Sequence, residues 1–345
     1  MIEKPLVSVI MTVYNAQKYL YDALYALENQ TCKSLEVIAV DDGSTDDSGR
    51  ILDEYAKDHD YIRVIHQKNK GIWCARETGL DLAVGKYISF FDCDDIPLPN
   101  LYQRLLETLE ENNADMAICT FVREEMETGK VLSHEMKKMS GTVINVHTDS
   151  TAYAAINPAV WNKLVRADII KKKIKFEIPH RTFDDVLLYG SVFFRMERIV
   201  CIPDMLYRYR VHRDSMIHSL NKEDLPQFVD RLLDIRNLIV QEPDCENCLR
   251  TFDSIAFIHL GVSLVLRRIQ NGDKIGIAIK EARECLDKNF PLYNKPHFGF
   301  LWNMKNSGVL WKAYIALWCF RLGLMGPLFT IYRFVTEKLR MEIKW

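Results

Sequence analysis

The sequence predicts an α/β fold: a mostly parallel, doubly wound sheet flanked by helices, followed by a helical C-terminal region. Three observations predict it. In the first third of the chain, short β-rich apolar runs alternate with segments whose apolar residues recur at helical spacing. The first run, Val7 to Val13, is almost continuously apolar, as in a strand buried on both faces. From about Lys222 onward only the helical period persists.

The elements follow in order. After the first strand, Tyr19, Leu20, Ala23, Leu24 and Leu27 repeat as one helix face. Glu36 to Val40 is a second strand, ending at Asp41-Asp42-Gly43-Ser44. Asp46 is placed to cap a helix carrying Ile51, Leu52, Tyr55 and Ala56. Ile62 to Ile65 is a third strand, with a helix around Ala75 to Leu82 behind it. Tyr87 to Phe91 is a fourth, ending at Asp92-Cys93-Asp94-Asp95. A helix through Leu101, Leu105, Leu106 and Leu109 and a strand over Met116 to Phe121 complete the pattern. Later, Phe228, Leu232, Ile235 and Ile239 are helically spaced, as are Phe252, Ile255, Ala256, His259 and Leu260, and the segment Lys274 to Leu286. The expected domains are a catalytic one over 1–220, a helical region over 221–299 and a basic, Trp-containing tail over 300–345.

Composition narrows the class. The 345 residues suffice for a buried core, and 48% hydrophobic with 27% charged residues is ordinary for a globular chain. A net charge of −2 provides no basic field, so no nucleic-acid partner is expected. The nine cysteines are scattered and odd in number, which favours a reducing cytoplasm. Cys245 and Cys248 form one C-x-x-C without a second ligand pair, the pattern of ordinary thiols. No charged start with a long apolar stretch opens the sequence, so no signal peptide is expected. The longest apolar candidate, Val309 to Val335, is interrupted by Lys312, Arg321 and Arg333, and Gly326-Pro327 is expected to break it. That reads as interfacial or core helix, not a span.

Two acidic clusters lie at strand ends, where ligands bind in open α/β sheets. Asp92, Asp94 and Asp95 repel one another unless a cation sits among them. Magnesium and manganese prefer oxygen ligands and often pair one or two carboxylates with substrate phosphates, which suits a diphosphate leaving group. The bland alternative is a solvated acidic turn. Asp41-Asp42-Gly43-Ser44 reads either as a helix-starting turn or as a carboxylate for a base N–H or ribose hydroxyl. A receiver-type phosphorylation pocket also uses such acids, but leaves the second cluster unexplained. Tyr14, at the end of the first strand, is placed either in the core or to stack on a nucleobase.

Together these motifs resemble family 2 glycosyltransferases. The segments are Pro5 to Ile10 through Tyr14-Asn15, Glu36 to Asp46, Asn69-Lys70-Gly71 with Ala75-Arg76 and Gly79, and Asp92 to Asp95. The likeness continues at Trp161-Asn162-Lys163-Leu164 and Phe183-Asp184-Asp185, and ends near Tyr209-Arg210-Val211-His212. It implies a GT-A type nucleotide-sugar fold and an inverting sugar transfer. It places Val13, Tyr14, Asn15, Asp42, Arg76, Asp92, Cys93 and Asp94 on the donor. A manganese or magnesium ion is expected at Asp94 and Asp95, and Asp185 is the expected catalytic base. Position 184 is usually Glu in the family and is Asp184 here, a residue that also suits the start of a helix at Val186. Glu77 stands where the family often has Asn. Trp161, Asn162 and Lys163 are expected either to frame an acceptor pocket or to pack. Arg210, His212 and Ser215 are expected on a flexible loop able to close over the diphosphate.

The stretch Leu301 to Trp345 holds seven Lys/Arg, four tryptophans and two acids, Glu337 and Glu342. It suits either a helix on an anionic bilayer surface or one packed on the domain. The expected donor is a UDP-sugar. The expected acceptor is a glycan hydroxyl, with a polyprenyl-diphosphate-linked glycan as one form, in surface polysaccharide assembly. The expected setting is the cytoplasm, peripheral to the inner membrane face, and homo-oligomerisation stays open. Two rivals are weighed. A nucleotidyltransferase would carry a Gly-rich basic loop where this chain has Tyr14-Asn15-Ala16-Gln17-Lys18. A non-catalytic binding relative would lack the base or metal carboxylates.

Overall fold

The computed structural model describes residues 5–173, 184–212 and 225–338, with side chains to 332. The chain divides into two compact units, one of 1–146 and 157–231, the other of 147–156 and 232–345.

The first unit is built on one sheet. Its described strands are β1 Val7–Val13, β2 Leu35–Asp41, β3 Ile62–His66, β4 Tyr87–Asp92, β5 Ile96–Pro97, β6 Met116–Glu125, β7 Val131–Glu135, β8 Val143–Asn145, β9 Lys163–Arg166 and β10 Arg198–Val211. They run in the order β3-β2-β1-β4-β9-β6-β10-β5, with β7 on β6 and β8 on β10. The helices are α1 Leu20–Glu28, α2 Ser48–Ala56, α3 Ile72–Leu82, α4 Leu101–Asn112, α5 Ala167–Ile170 and α6 Asp184–Gly190. The α/β architecture is therefore the one the alternation of periods predicts.

β1 lies between β2 and β4, parallel to both, and six of its seven residues are buried. The register is what places the site. Val13 stands opposite Asp41, and Thr12 opposite Asp92, so both acidic strand ends emerge beside the end of β1. α3 packs on β1 and β2 through its small residues. A Cβ at Gly79 would come 2.4 Å from Ile10 Cγ2, so helix and strand lie as close as a glycine allows. Gly43 has φ +73°, and a Cβ there would meet the Asn69 backbone nitrogen at 2.7 Å. That glycine lets the Asp41–Ser44 turn press against the loop that leads into α3.

Five of the described strands lie outside the sequence expectation: β5, β7 and β8, none longer than five residues, and β9 and β10. β9 is antiparallel to β4 and β6, and only four residues long, too short for its period to be read. β10 runs fourteen residues with Pro203 inside it, and its register on β6 shifts between Cys201 and Tyr207. The proline hides the strand from a sequence reading, and the bulge absorbs it. The expectation of a flexible loop at Arg210 is corrected here: Arg210 is part of β10, opposite Glu124, and buried. His212 follows directly after the strand, and Ser215 lies outside the described residues.

After α7 Leu225–Val240, the helices are α8 Glu246–Ala256, α9 Leu264–Gln270, α10 Ile275–Asn289, α11 Phe300–Lys305, α12 Trp311–Arg321 and α13 Met325–Lys338. A π-helical turn over Phe257–Ser263 joins α8 to α9. The resulting helix, Glu246–Gln270, is long and apolar enough to cross a membrane, yet its most apolar stretch is 72% buried inside the protein, as in a core helix. Phe298, Leu310 and Ala313 form a core cluster with Trp302, Val309, Tyr314 and Ile258 packed on it. The described part of 300–345 thus shares the second unit's core. The break in the 309–335 run falls at Gly323, φ +73°, and not at Gly326-Pro327. Pro327 sits in the first turn of α13, where its missing N–H costs nothing.

Gly79→Ala is expected to lower stability by about 1–3 kcal/mol through overpacking against Ile10. Denaturant midpoints check this, and the loss should shrink in an Ile10→Ala background, where the clashing methyl is gone. An unchanged midpoint would show that α3 and β1 are not in this contact.

Candidate active site

Arg76 organises the site. It lies in the second turn of α3 and is almost wholly buried. Its Nη1 donates to the Asp184 carboxylate and to Asp185 Oδ1 at 2.8 Å, while Nη2 reaches Asp92 Oδ1 at 3.3 Å. Three strand- or helix-end carboxylates therefore share one guanidinium. Burial alone would lower the Arg76 pKa, and the three acids outweigh it and raise it. Burial pushes Asp185 up to about 6, with Asp184 adding repulsion and Arg76 opposing both. Asp92 is likewise pushed up to about 6 by burial against the pull of Arg76. Asp184 and Asp185 open α6, where two carboxylates also suit the helix N-terminus. Asp184, one methylene shorter than the Glu usual at its position, still reaches Arg76. Glu77 has its own partner, Lys173 Nζ at 2.6 Å, and so serves the packing of α3.

The turn after β4 separates two kinds of acid. Asp94 keeps about a third of its side chain exposed and lies 2.9 Å from His212 Nε2. Asp95, expected beside it as a metal ligand, is fully buried. It accepts from the Arg210 backbone N–H at 2.8 Å and the Tyr207 hydroxyl at 3.0 Å. Burial, with Asp94 and Asp92 close by, pushes its carboxyl well above the usual carboxylate range. Its place is structural: it fastens the acidic turn to β10. Arg210 completes the fastening, donating to the Asp94 carbonyl and to Asp22 Oδ2 at 2.8 Å. Among the described residues, no group of three His, Cys, Asp or Glu side chains is placed to hold a metal ion. Asp94 and His212 supply one oxygen and one imidazole nitrogen, a set that fits a manganese-like ion whose remaining ligands come from diphosphate and water.

The other donor-side residues divide similarly. Tyr14 is 53% exposed at the end of β1, free to offer a ring face. Asn15 has φ +50°, and its Oδ1 accepts from the Thr45 N–H at 2.8 Å, tying the first loop to the second. Asp42 is buried: Gln67 Nε2 and the Lys70 N–H donate to Oδ1, and the Gly71 N–H to Oδ2, at 2.7–2.9 Å. It shapes the loop before α3. Val13 and Cys93 are buried, leaving their backbone as the part near the crevice. Trp161 stacks on Tyr207 at 4.2 Å and on Tyr209 at 5.5 Å. Asn162 bonds the Cys119 carbonyl at 2.9 Å. The Lys163 ammonium is buried, held by the Asn157 and Ala159 carbonyls and Asn162 Oδ1, above the ring of Tyr189. Burial pulls its pKa down to about 7. This motif therefore packs behind α6 and does not open onto solvent. Sequence reasoning missed Asp22, Tyr19 and Gln67. Tyr19 reads only as part of a helix face, and Asp22 belongs to no motif, yet Asp22 holds Arg210, and Tyr19 lies 5.2 Å from the His212 ring.

Comparison with known proteins identifies the family and the fold. The family model "Glycosyl transferase family 2" matches residues 8–184. The putative glycosyltransferase EpsH of Bacillus subtilis is 30% identical over 64% of this chain, which spans 65% of that relative, just under two thirds. The crystal structure of S. aureus TarS 1–349 in complex with UDP-GlcNAc superposes with a TM-score of 0.67 at 20% identity, covering 92% of each chain. The mannosyltransferase PcManGT of Pyrobaculum calidifontis, in complex with GDP-Man and Mn2+, gives 0.52 at 15% identity, covering 92% of this chain and 86% of its own. Both structural likenesses fall below 25% identity and speak for the fold. With the family model covering half of the chain, this chain belongs to glycosyltransferase family 2.

Proposed function

We infer that the protein transfers a sugar from a UDP-sugar to a hydroxyl of a glycan acceptor with inversion, in metal-assisted fashion. The observation that carries the reading is Asp185, a part-exposed carboxylate held by the same buried arginine as the strand-end Asp92. The complexes of similar folds with UDP-GlcNAc and with GDP-Man and Mn2+ support a nucleotide-diphosphate sugar as donor. A lipid-linked glycan at the cytoplasmic face of the membrane is the acceptor class we favour, as in surface polysaccharide assembly.

Tyr14 offers its exposed ring to the base, and Asp92 its carboxylate to the ribose. Asp94 and His212 would hold a divalent ion, which supplies positive charge to the diphosphate as it leaves. Asp185 accepts the proton of the acceptor hydroxyl. The oxygen forms its bond to the anomeric carbon, the bond to the phosphate oxygen breaks, and the nucleoside diphosphate departs with the electron pair. Arg76 keeps Asp185 oriented and limits the rise of its pKa. A carboxylate at about 6 is a stronger base than an ordinary Asp and still ionised at neutral pH.

Asp185→Asn is expected to cut nucleotide release from a UDP-sugar in the presence of acceptor by about 10²–10⁴-fold. Calorimetry should find UDP affinity preserved. Near-normal turnover would remove Asp185 from the role of base. The rate of the native enzyme should fall as pH drops through about 6, because Asp185 then takes up a proton. A flat profile between pH 5 and pH 8, about the range where this group titrates, would contradict that. Asp94→Asn should weaken manganese-dependent UDP binding roughly tenfold or more, whereas Asp95→Asn, whose carboxyl already faces Tyr207, should keep it. Equal losses in the two variants would undo the division between a ligand acid and a structural one.

A further inference from the structure

α12 is apolar all round: in the sequence of Trp311–Arg321, only Lys312 and Arg321 are charged. One face is used inside the second unit, where Ala313, Ala316, Leu317 and Phe320 are buried. The opposite face is not covered. Ile315, Trp318 and Leu322 recur at i, i+3 and i+7 and are exposed, Leu322 at 62%. A surface helix ordinarily shows water a polar face. The apolar exposure extends in both directions along the chain. Leu324 and Ile331 continue it through the turn into α13, with Ile331 at 62%. A run of ring contacts, Phe300–Trp311–Tyr314–Trp318, connects it back to α11, where Leu301 is 80% exposed. An exposed apolar surface of this extent marks an interaction site.

Charge identifies the occupant. Between Asp287 and Glu337 the sequence has no Asp or Glu and six Lys/Arg, although the whole chain has 47 acids against 45 bases. Lys305, Lys312 and Arg321 lie among the exposed apolar groups and are themselves exposed. The Arg321 guanidinium sits over the Trp318 ring, 5.9 Å from its centroid. A second copy of the chain would set this acid-free surface against itself, like charge to like. An anionic lipid surface matches both features, with apolar side chains entering the acyl boundary and Lys and Arg reaching the headgroups.

We propose that the outward face of α11–α13, centred on Ile315, Trp318 and Leu322, seats the protein on an anionic bilayer. The site is independent of the sugar chemistry, so a failure of one reading leaves the other standing. The test is co-sedimentation of the full chain with extruded vesicles of phosphatidylcholine alone, and of phosphatidylcholine with about a third phosphatidylglycerol. The anionic vesicles should bind about tenfold or more tighter, and binding should fall as salt is raised. Trp318→Ser with Leu322→Glu should reduce binding roughly tenfold, and Lys305→Glu with Lys312→Glu should abolish the preference for anionic lipid. The native chain decides the matter even if a variant fails to fold. Recovery in the supernatant with both vesicle types, or equal and salt-independent binding to both, overturns the proposal. So does a concentration-dependent dimer that anionic vesicles do not dissociate, which would assign the face to self-association.

Discussion

A buried guanidinium surrounded by three carboxylates is costly to assemble and more costly to disrupt. Removing the guanidinium from such a group would leave its carboxylates uncompensated in a low-dielectric setting, a loss of about 3–5 kcal/mol. Arg76 occupies that position. Its partners come from the end of β4 and the start of α6, and its own backbone belongs to α3, which is held on the sheet by the Gly79–Ile10 contact. The active-site arrangement therefore depends on how tightly one helix sits on one strand. Burial raises the Asp185 and Asp92 carboxyls and the arginine of the same cluster opposes the rise, so packing and acid–base chemistry are tied together at this site.

Around that centre the acids have distinct work. Asp42 and Asp95 look from their motifs like ligand carboxylates, yet both are buried and occupied by protein donors. They hold loops in place. Asp94 and Asp185 remain accessible. The strand-end acidic motifs thus contain their own scaffold, with Asp42 and Asp95 directed inward and Asp94 outward.

Much of this was legible in the sequence. The near-continuous apolar run of β1 and the alternation that follows specify a buried parallel core, because burial on both faces leaves no other pattern. The clustering of acids at strand ends follows from the same register. β10 was not legible, since Pro203 interrupts it and a bulge has to be built before the pairing resumes. Arg210 therefore read as a loop residue when it is a clamp. The direction of Asp42 and Asp95 was hidden for another reason. Their partners are backbone N–H groups, and the Gln67 and Tyr207 side chains, brought close only by folding. In the C-terminal region the period revealed helices, but composition alone could not say which face of α12 is spent on the core.

The Arg76 cluster joins residues 108 and 109 positions apart in the chain. The backbone hydrogen bonds of helices such as α1 and α2 are local, whereas this charge cluster exists only once α3, β4 and α6 have met. Contacts of such long sequence separation are slow to form, because loop-closure entropy must be overcome before they stabilise anything. During synthesis, Arg76 leaves the ribosome long before Asp184 does. Until then Arg76 has only Asp92 of its three carboxylate partners. The cluster is complete only when the chain has passed its midpoint, so a truncated product would have the sheet's first strands but not the carboxylate assigned to the chemistry.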